Sequence, residues 1–234
     1  MTTTAERAQA VSTMFTRISG RYDLMNSLMT AGRHHAWRRA AAREAVGAPS
    51  GPILDLATGT ADLAIAVRRL DPRRDVVGAD FALGMLREAG RKLAGLEEAR
   101  VTLTAADALR LPFADGAFSA VVSAFLLRNL VDLEAGLREM RRVTRAGGRV
   151  VALDIVRVAM PVWGAIFGLY FHRVVPAIGA LVAGDRQAYT YLPNSVDRFL
   201  TAPELSAHMQ KVELRDVRFK TFALGTVALH TAIV

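Results

Sequence analysis

The 234 residues are 52% hydrophobic, enough for one sizeable α/β domain with an elaboration or at most two small domains. Cysteine is absent, which excludes disulfides and thiolate chemistry, and the N-terminus has no apolar h-region of a secretory signal, which predicts a cytoplasmic chain. The formal net charge is +8, but only Lys92, Lys211 and Lys220 are lysines, and the arginines are dispersed in pairs such as Arg38-Arg39, Arg68-Arg69, Arg73-Arg74 and Arg141-Arg142; they read as solvated helix faces, not as a nucleic-acid footprint.

Residues 1–10 read as a poorly ordered tail. From Val11 to Ala45, Phe15, Ile18, Tyr22, Met25, Leu28 and Met29 recur at helical steps. Gly20 and Asn26 interrupt them, so two or more short helices are expected. This region, residues 11–47, is rich in polar and aromatic side chains. It is either a lid or a packing element.

Ile53–Leu56 suits a buried strand, Ala57-Thr58-Gly59-Thr60-Ala61 a small-residue turn, and Asp62–Leu70 a helix stopped by Asp71-Pro72. Strand, tight loop, helix is the opening unit of a nucleotide-binding α/β fold. Only Gly59 of the loop is glycine, which disfavours a dinucleotide pyrophosphate. A second strand, Asp75–Asp80, ends in an acid at the spacing that holds a ribose diol. Together these point to a nucleoside without a diphosphate, and S-adenosylmethionine fits.

A helix over Ala82–Leu93 follows, then a strand over Arg100–Ala105 that leads to Asp107 and Ala108, where an acid suits an adenine amino group. A fourth strand, Phe118–Ala124, runs into Arg128 and Asn129 at the carboxyl edge of the sheet, where ligands bind. Asp132–Thr144 reads as an amphipathic helix ended by Gly147-Gly148, and Arg149–Val156 as strand five, containing Asp154. Residues 157–200 form an insertion. Its uncharged halves, Met160–Phe171 and Val174–Gly184, are split by His172-Arg173 and are too short to span a bilayer. They cap the site, touch a membrane surface or pack internally. Thr201-Ala202-Pro203-Glu204 starts a helix, and Val217–Phe222 with Thr226–Val234 makes a closing hairpin. The expected architecture is α/β, a Rossmann-like seven-stranded, mostly parallel sheet of the class I methyltransferase type, in a single domain with an N-terminal helical lid and a helical insertion.

Several stretches together resemble the UbiE/MenG/Coq5 quinone C-methyltransferases: Arg21-Tyr22-Asp23-Leu24-Met25-Asn26, the loop Leu54–Leu63, Leu127-Arg128-Asn129, Gly147-Gly148-Arg149, Phe171-His172-Arg173-Val174-Val175-Pro176, Tyr189 with Tyr191-Leu192, and Ala228-Leu229-His230. The likeness runs from about residue 14 to the C-terminus. It departs at Ala124, where a serine is usual, at Thr58 and Ala61 of the loop, and at Asp154, where Glu is usual.

The resemblance implies S-adenosylmethionine as methyl donor, contacted by Thr60, Asp80, Asp107 and Ala108, with Asp55 and Gly59 in the same loop unit. It implies C-methylation of a lipophilic polyprenylated quinol, most simply demethylmenaquinol. Arg128 would stabilise a phenolate or orient a water, since a guanidinium is a poor base. Asn129 would bind a ring oxygen, Tyr22 and Asp23 would close over the substrate, and His172 is the conventional base candidate. Asp154 and Tyr189 are candidates for the pocket wall. No metal is required, because the histidines lack ligand spacing. A bilayer substrate makes peripheral contact with the inner membrane face the expectation, carried by Trp163, Phe167 and Phe171. The alternatives are an isoprenoid or aromatic acceptor, a nucleic-acid methyltransferase and a non-enzymatic cofactor-binding module.

Overall fold

A computed structural model describes residues 4–96, 101–158, 167–183 and 185–234. Seven strands form one sheet: β1 (Ile53–Leu56), β2 (Val76–Asp80), β3 (Val101–Ala105), β4 (Phe118–Ala124), β5 (Thr144–Ile155), β6 (Arg215–Phe222) and β7 (Val227–Ile233). Their order is β3-β2-β1-β4-β5-β7-β6, with β7 antiparallel to both neighbours and the remaining pairs parallel. The order reverses between β1 and β4, which pair from Ile53 opposite Ala120 to Leu56 opposite Ser123. Loops leaving those two strands therefore diverge and open a crevice at the carboxyl edge.

The central strands are apolar on both faces because helices cover both. Leu54 and Leu56 of β1 face one core with Val121 of β4. Against them pack Leu137 and Met140 of helix α6 (Leu133–Val143), and Leu205 and Met209 of α9 (Ala202–Lys211). Ile53 and Val122 face the other core, with Ala41 and Ala45 of α3 (Arg33–Val46) and Leu63 and Val67 of α4 (Asp62–Leu70). The start of α9 follows its local signal: Thr201 and Glu204 form a reciprocal capping box.

A third cluster lies outside this sandwich. It joins α1 (Thr4–Ile18) and α2 (Tyr22–Thr30) to α5 (Leu83–Ala94), to the helical stretch 167–183 containing α7 (Val175–Ile178), and to α8 (Arg186–Asp197). Ile18, Met25, Met85, Phe171, Val175 and Tyr189 are buried in it. Helix α1 approaches α5 closely because Gly84 is there: a Cβ on it would lie 2.8 Å from the Cα of Thr16.

Several expectations are corrected. Residues 4–10 are helical, the first turns of α1. The helix expected to Thr144 ends at Val143, and β5 begins at Thr144 instead of Arg149. Gly147 adopts a positive φ of 73° in an irregular start to β5, where the pairing with β4 shifts register between Phe118 and Ala120. The arginine pairs are not uniformly solvated: Arg38, Arg68 and Arg74 are buried while Arg39, Arg69 and Arg73 are exposed. Arg74 donates to the carbonyls of Val46, Ala48, Pro49 and Gly51, binding the C-terminal end of α3 to the loop before β1. Among the residues expected to touch a membrane, Phe171 is buried and stacks on Phe167 at 4.8 Å between ring centroids. Trp163 lies outside the described residues. No helix among the described residues is long and apolar enough to cross a membrane.

Candidate active site

Two cavities meet at the carboxyl edge. The smaller, about 130 Å³, is lined by Gly59 from the loop after β1, Asp80 and Phe81 after β2, Ala106, Asp107 and Ala108 after β3, and Asn129 after β4. The larger, about 500 Å³, is lined by Arg128, Tyr170, Tyr189 and Tyr191 together with residues from α1, α2 and α3. Phe15, Tyr22 and Phe125 line both and form the wall between them.

The loop at 57–61 is tightly wound. Ala57, Gly59 and Ala61 all have φ between 57° and 67°, tolerable for small side chains. Asp80 fixes this turn: its carboxylate accepts the Gly59 N–H at 2.8 Å and the Ala82 N–H at 2.8 Å. Burial pushes the Asp80 carboxyl up, and these N–H bonds oppose the shift. Asp55 works from beneath. Fully buried, it accepts from Thr58 Oγ1 at 2.6 Å and from the Ala64 N–H at 2.9 Å, tying the loop to α4. Asp55 does not line the cavity. Burial raises its pKa to about 7.

Thr60 also faces away from the cavity. Its hydroxyl donates to Asp23 at 2.6 Å. Lys92 bridges Asp23 at 2.5 Å and Asp62 at 2.7 Å, so α2, α4 and α5 are joined by one ionic network beside the loop. Asp107 is exposed at the rim, and its carboxylate accepts the Leu109 N–H at 2.9 Å.

Arg128 and Asn129 lie on a 3-10 turn directly after β4. The turn follows Phe125, whose φ of 66° is a strained conformation for a large side chain. The Phe125 N–H donates to the Leu153 carbonyl at 2.7 Å, and its own carbonyl accepts from Arg128 Nη1 at 2.9 Å and Asn129 Nδ2 at 3.0 Å. Arg128 Nη1 also donates to Asp154 Oδ1 at 2.6 Å; both side chains are almost fully buried. The guanidinium groups of Arg128 and Arg38 lie 5.7 Å and 5.2 Å from the centre of the Phe125 ring. Asn129 Oδ1 accepts from the Tyr191 hydroxyl at 3.1 Å, joining the turn to α8.

Of the residues expected in the site, Gly59, Asp80, Asp107, Ala108, Asn129, Arg128 and Tyr22 line the two cavities, while Asp55 and Thr60 lie behind the loop. His172 is set apart. It lines neither cavity, is 41% exposed, and pairs with exposed Asp197 at 2.9 Å. That position gives it no acceptor proton to take. Arg38, Phe125 and Tyr191 were not singled out as site residues. Tyr191 is marked in sequence only by its place beside Tyr189 in the insertion; Arg38 is hidden in a basic pair.

The His34-His35 pair behaves differently from its sequence spacing. Nitrogens of both rings and an Asp62 oxygen fall within 4.8 Å of one another. Arg38 already contacts His34 Nδ1 and lies 3.9 Å from Asp62, and Lys92 pairs with Asp62, so fixed cations hold this cluster and repel a metal. With Arg38 donating to Nδ1, the neutral His34 ring carries its proton on Nε2 and donates to Ser27 Oγ at 3.1 Å. Burial, then the Arg38 charge, lowers the His34 pKa to about 4.

The unfolded chain therefore takes up a proton on His34 before the folded protein does. This contribution is complete above about pH 6.5 and is lost as pH falls towards 4. Asp55 runs the other way: with its folded pKa raised to about 7, its burial costs stability as pH rises from 3.8 through 7. In urea unfolding, the stability gap between the wild type and His34→Gln should narrow from pH 7.5 to pH 5; a constant gap would contradict the neutral, buried His34.

The ubiE/COQ5 methyltransferase family model matches residues 1–234. A demethylmenaquinone methyltransferase of Deinococcus radiodurans is 42% identical, the match covering 96% of this chain and 92% of that one. Another protein of that name, from Thermus thermophilus, is 44% identical over 93% of this chain and 98% of its own. A ubiquinone/menaquinone biosynthesis C-methyltransferase of Desulfotalea psychrophila is 39% identical over 97% and 91%. Among solved structures, the cyclase SpnF superposes with a TM-score of 0.70 at 17% identity, covering 97% of this chain and 96% of its own. A possible histamine N-methyltransferase of Thermotoga maritima gives 0.64 at 16% identity, covering 94% and 98%. These two likenesses concern the fold, whereas the sequence matches extend over nearly the whole chain. The chain belongs to the ubiE/COQ5 methyltransferase family and is an S-adenosylmethionine-dependent methyltransferase.

Proposed function

We propose that the protein methylates a ring carbon of demethylmenaquinol, a naphthalene-1,4-diol bearing a polyprenyl chain. The observation that carries this reading is the pair of cavities. A small slot at the loop after β1 shares its wall, Phe15, Tyr22 and Phe125, with a larger apolar and aromatic cavity that Arg128 lines. The names of the bacterial relatives supply the acceptor.

The smaller cavity fits S-adenosylmethionine by its donor set. Asp80 has lone pairs for a ribose diol, Ala106, Ala108 and Leu130 offer apolar surface to an adenine, and Asp107 at the rim can accept from its amino group. When bound, S-adenosylmethionine supplies a sulfonium methyl that is already activated. The protein's own task is to make the ring carbon nucleophilic and to keep water away. A phenolic hydroxyl ionises near pH 10, so its deprotonated form needs support at neutral pH. The buried Nε of Arg128 has no partner, and as a cationic N–H donor it supports that oxyanion once the proton has passed to water. Asn129, braced by Tyr191 and the Phe125 carbonyl, borders the smaller cavity and positions the turn. Tyr22 separates the two cavities and orients the ring.

The N-terminal helices act as a lid. At about 130 Å³ the smaller cavity is below the ~300–1,000 Å³ common for ligand sites. It widens when α1 and α2 draw back, and the half-exposed Asp23–Lys92 pair yields at low cost.

The rim of the larger cavity favours a lipid source. Leu28 and Leu224 line it and are 47% and 64% exposed, and Leu169 and Leu181 on the insertion are 65% and 87% exposed. Arg21 just before α2, Arg33 at the start of α3 and Arg173 in the insertion are exposed as well, suiting anionic headgroups.

Incubation with methyl-labelled S-adenosylmethionine and a bacterial membrane lipid extract tests the reaction. Label in menaquinol is expected; label confined to another lipid, or none, would reject it. For the surface, Leu169→Asp with Leu181→Asp should cut sedimentation with anionic liposomes about tenfold or more, and unchanged sedimentation would remove the membrane contact.

A further inference from the structure

Three residues that line the larger cavity each carry a side-chain donor that is sealed from solvent and has no hydrogen-bond partner: Arg128 Nε, Asn26 Nδ2 and Tyr189 Oη. Buried polar groups are normally paired, so an orphaned donor needs a reason. Here three come from separate elements and line one cavity. Asn26 belongs to α2, Tyr189 to α8, and Arg128 to the turn after β4.

Tyr189 is not free to turn outward, and the Asn26 amide nitrogen is sealed although the residue is only half-buried. Tyr189 is 3% exposed, and its ring lies against Gly179 so closely that a Cβ there would collide with it. Burial pushes the Tyr189 hydroxyl well above the usual phenol range, so it remains an O–H donor.

On the reading of this cavity as the quinol site, one donor is assigned: Arg128 serves the oxygen beside the carbon that is methylated. A 1,4-diol has a second oxygen across the ring. We infer that Asn26 Nδ2 and Tyr189 Oη bind this second oxygen, and that they make the protein select a 1,4-dioxygenated ring over a ring with one hydroxyl. A site built to hydrogen-bond a ligand oxygen discriminates strongly, because an analogue without the oxygen leaves the protein donors unpaired. The same two groups are a liability in the ligand-free protein, where nothing satisfies them.

That liability provides a test that a merely structural role fails. The probes are a naphthalene-1,4-diol with one short prenyl chain, kept reduced under anaerobic conditions, and the mono-ol lacking the hydroxyl remote from the reacting carbon. Trp37 lines the cavity, so its fluorescence reports binding. The wild type should bind the diol roughly 10- to 100-fold more tightly than the mono-ol, the worth of about two hydrogen bonds. Tyr189→Phe should weaken the diol about 5- to 10-fold and leave the mono-ol unchanged. Tyr189→Phe with Asn26→Leu should erase the preference.

Ligand-free Tyr189→Phe should melt at the same temperature as the wild type or higher, because it removes an unpaired buried hydroxyl. A preference that survives both substitutions, equal weakening of both probes, no binding of either probe by the wild type, or a lowered melting temperature would overturn the inference. Methyl transfer to the diol by the wild type is scored separately. Preference without transfer rejects the proposed reaction but leaves the two donors in place; transfer without preference rejects the donors alone.

Discussion

The buried pair of Arg128 and Asp154 is the constraint on which the rest of the site depends. Two charges are taken out of water at the ends of β4 and β5, where breaking one partner of such a pair costs on the order of 3–5 kcal/mol. The pair is not isolated. Phe125 is held at a positive φ, a strain of roughly 1–3 kcal/mol that its hydrogen bonds to Leu153, Arg128 and Asn129 offset. This turn aims Arg128 into the larger cavity and Asn129 towards the smaller one. A residue in ordinary extended conformation at 125 would carry the chain past the edge of the sheet.

The same turn gathers the rest of the molecule. Through the Phe125 ring it meets Arg38 of α3, which reaches His34 and Asp62; through Asn129 it meets Tyr191 of α8. Arg38 matters electrostatically. Behind the cavity wall, Arg38 is paired with Asp62 as Arg128 is with Asp154, so the two guanidiniums near the Phe125 ring are both ion-paired. His34 stays neutral beside Arg38 and adds no charge of its own.

Much of this was legible in the sequence, for local reasons. Continuous apolar runs marked β1, β2 and β4, small residues marked the loop at 57–61, and acids after strands marked Asp80 and Asp107. Arg128 and Asn129 stood out because two polar residues follow a buried strand. The fold around them follows from alternation of strand and helix. What escaped depends on partners distant in sequence. Nothing near Arg38, Arg68 or Arg74 distinguishes a buried guanidinium from its exposed neighbour; burial is decided by carbonyls and rings brought in by the fold. His172 looked suited to proton transfer as a residue type, yet the twist of the insertion turns it outward to Asp197. Thr60 sits in the right loop but its hydroxyl serves Asp23.

In the proposed reaction Arg128, held by Asp154, stabilises the ionised acceptor. An ultraviolet absorbance titration of a prenylated naphthol bound in the larger cavity measures this. The hydroxyl should ionise at a lower pH when bound to the wild type than in water, and at or above its solution value when bound to Arg128→Met. An ionisation that is the same in both proteins would contradict the account.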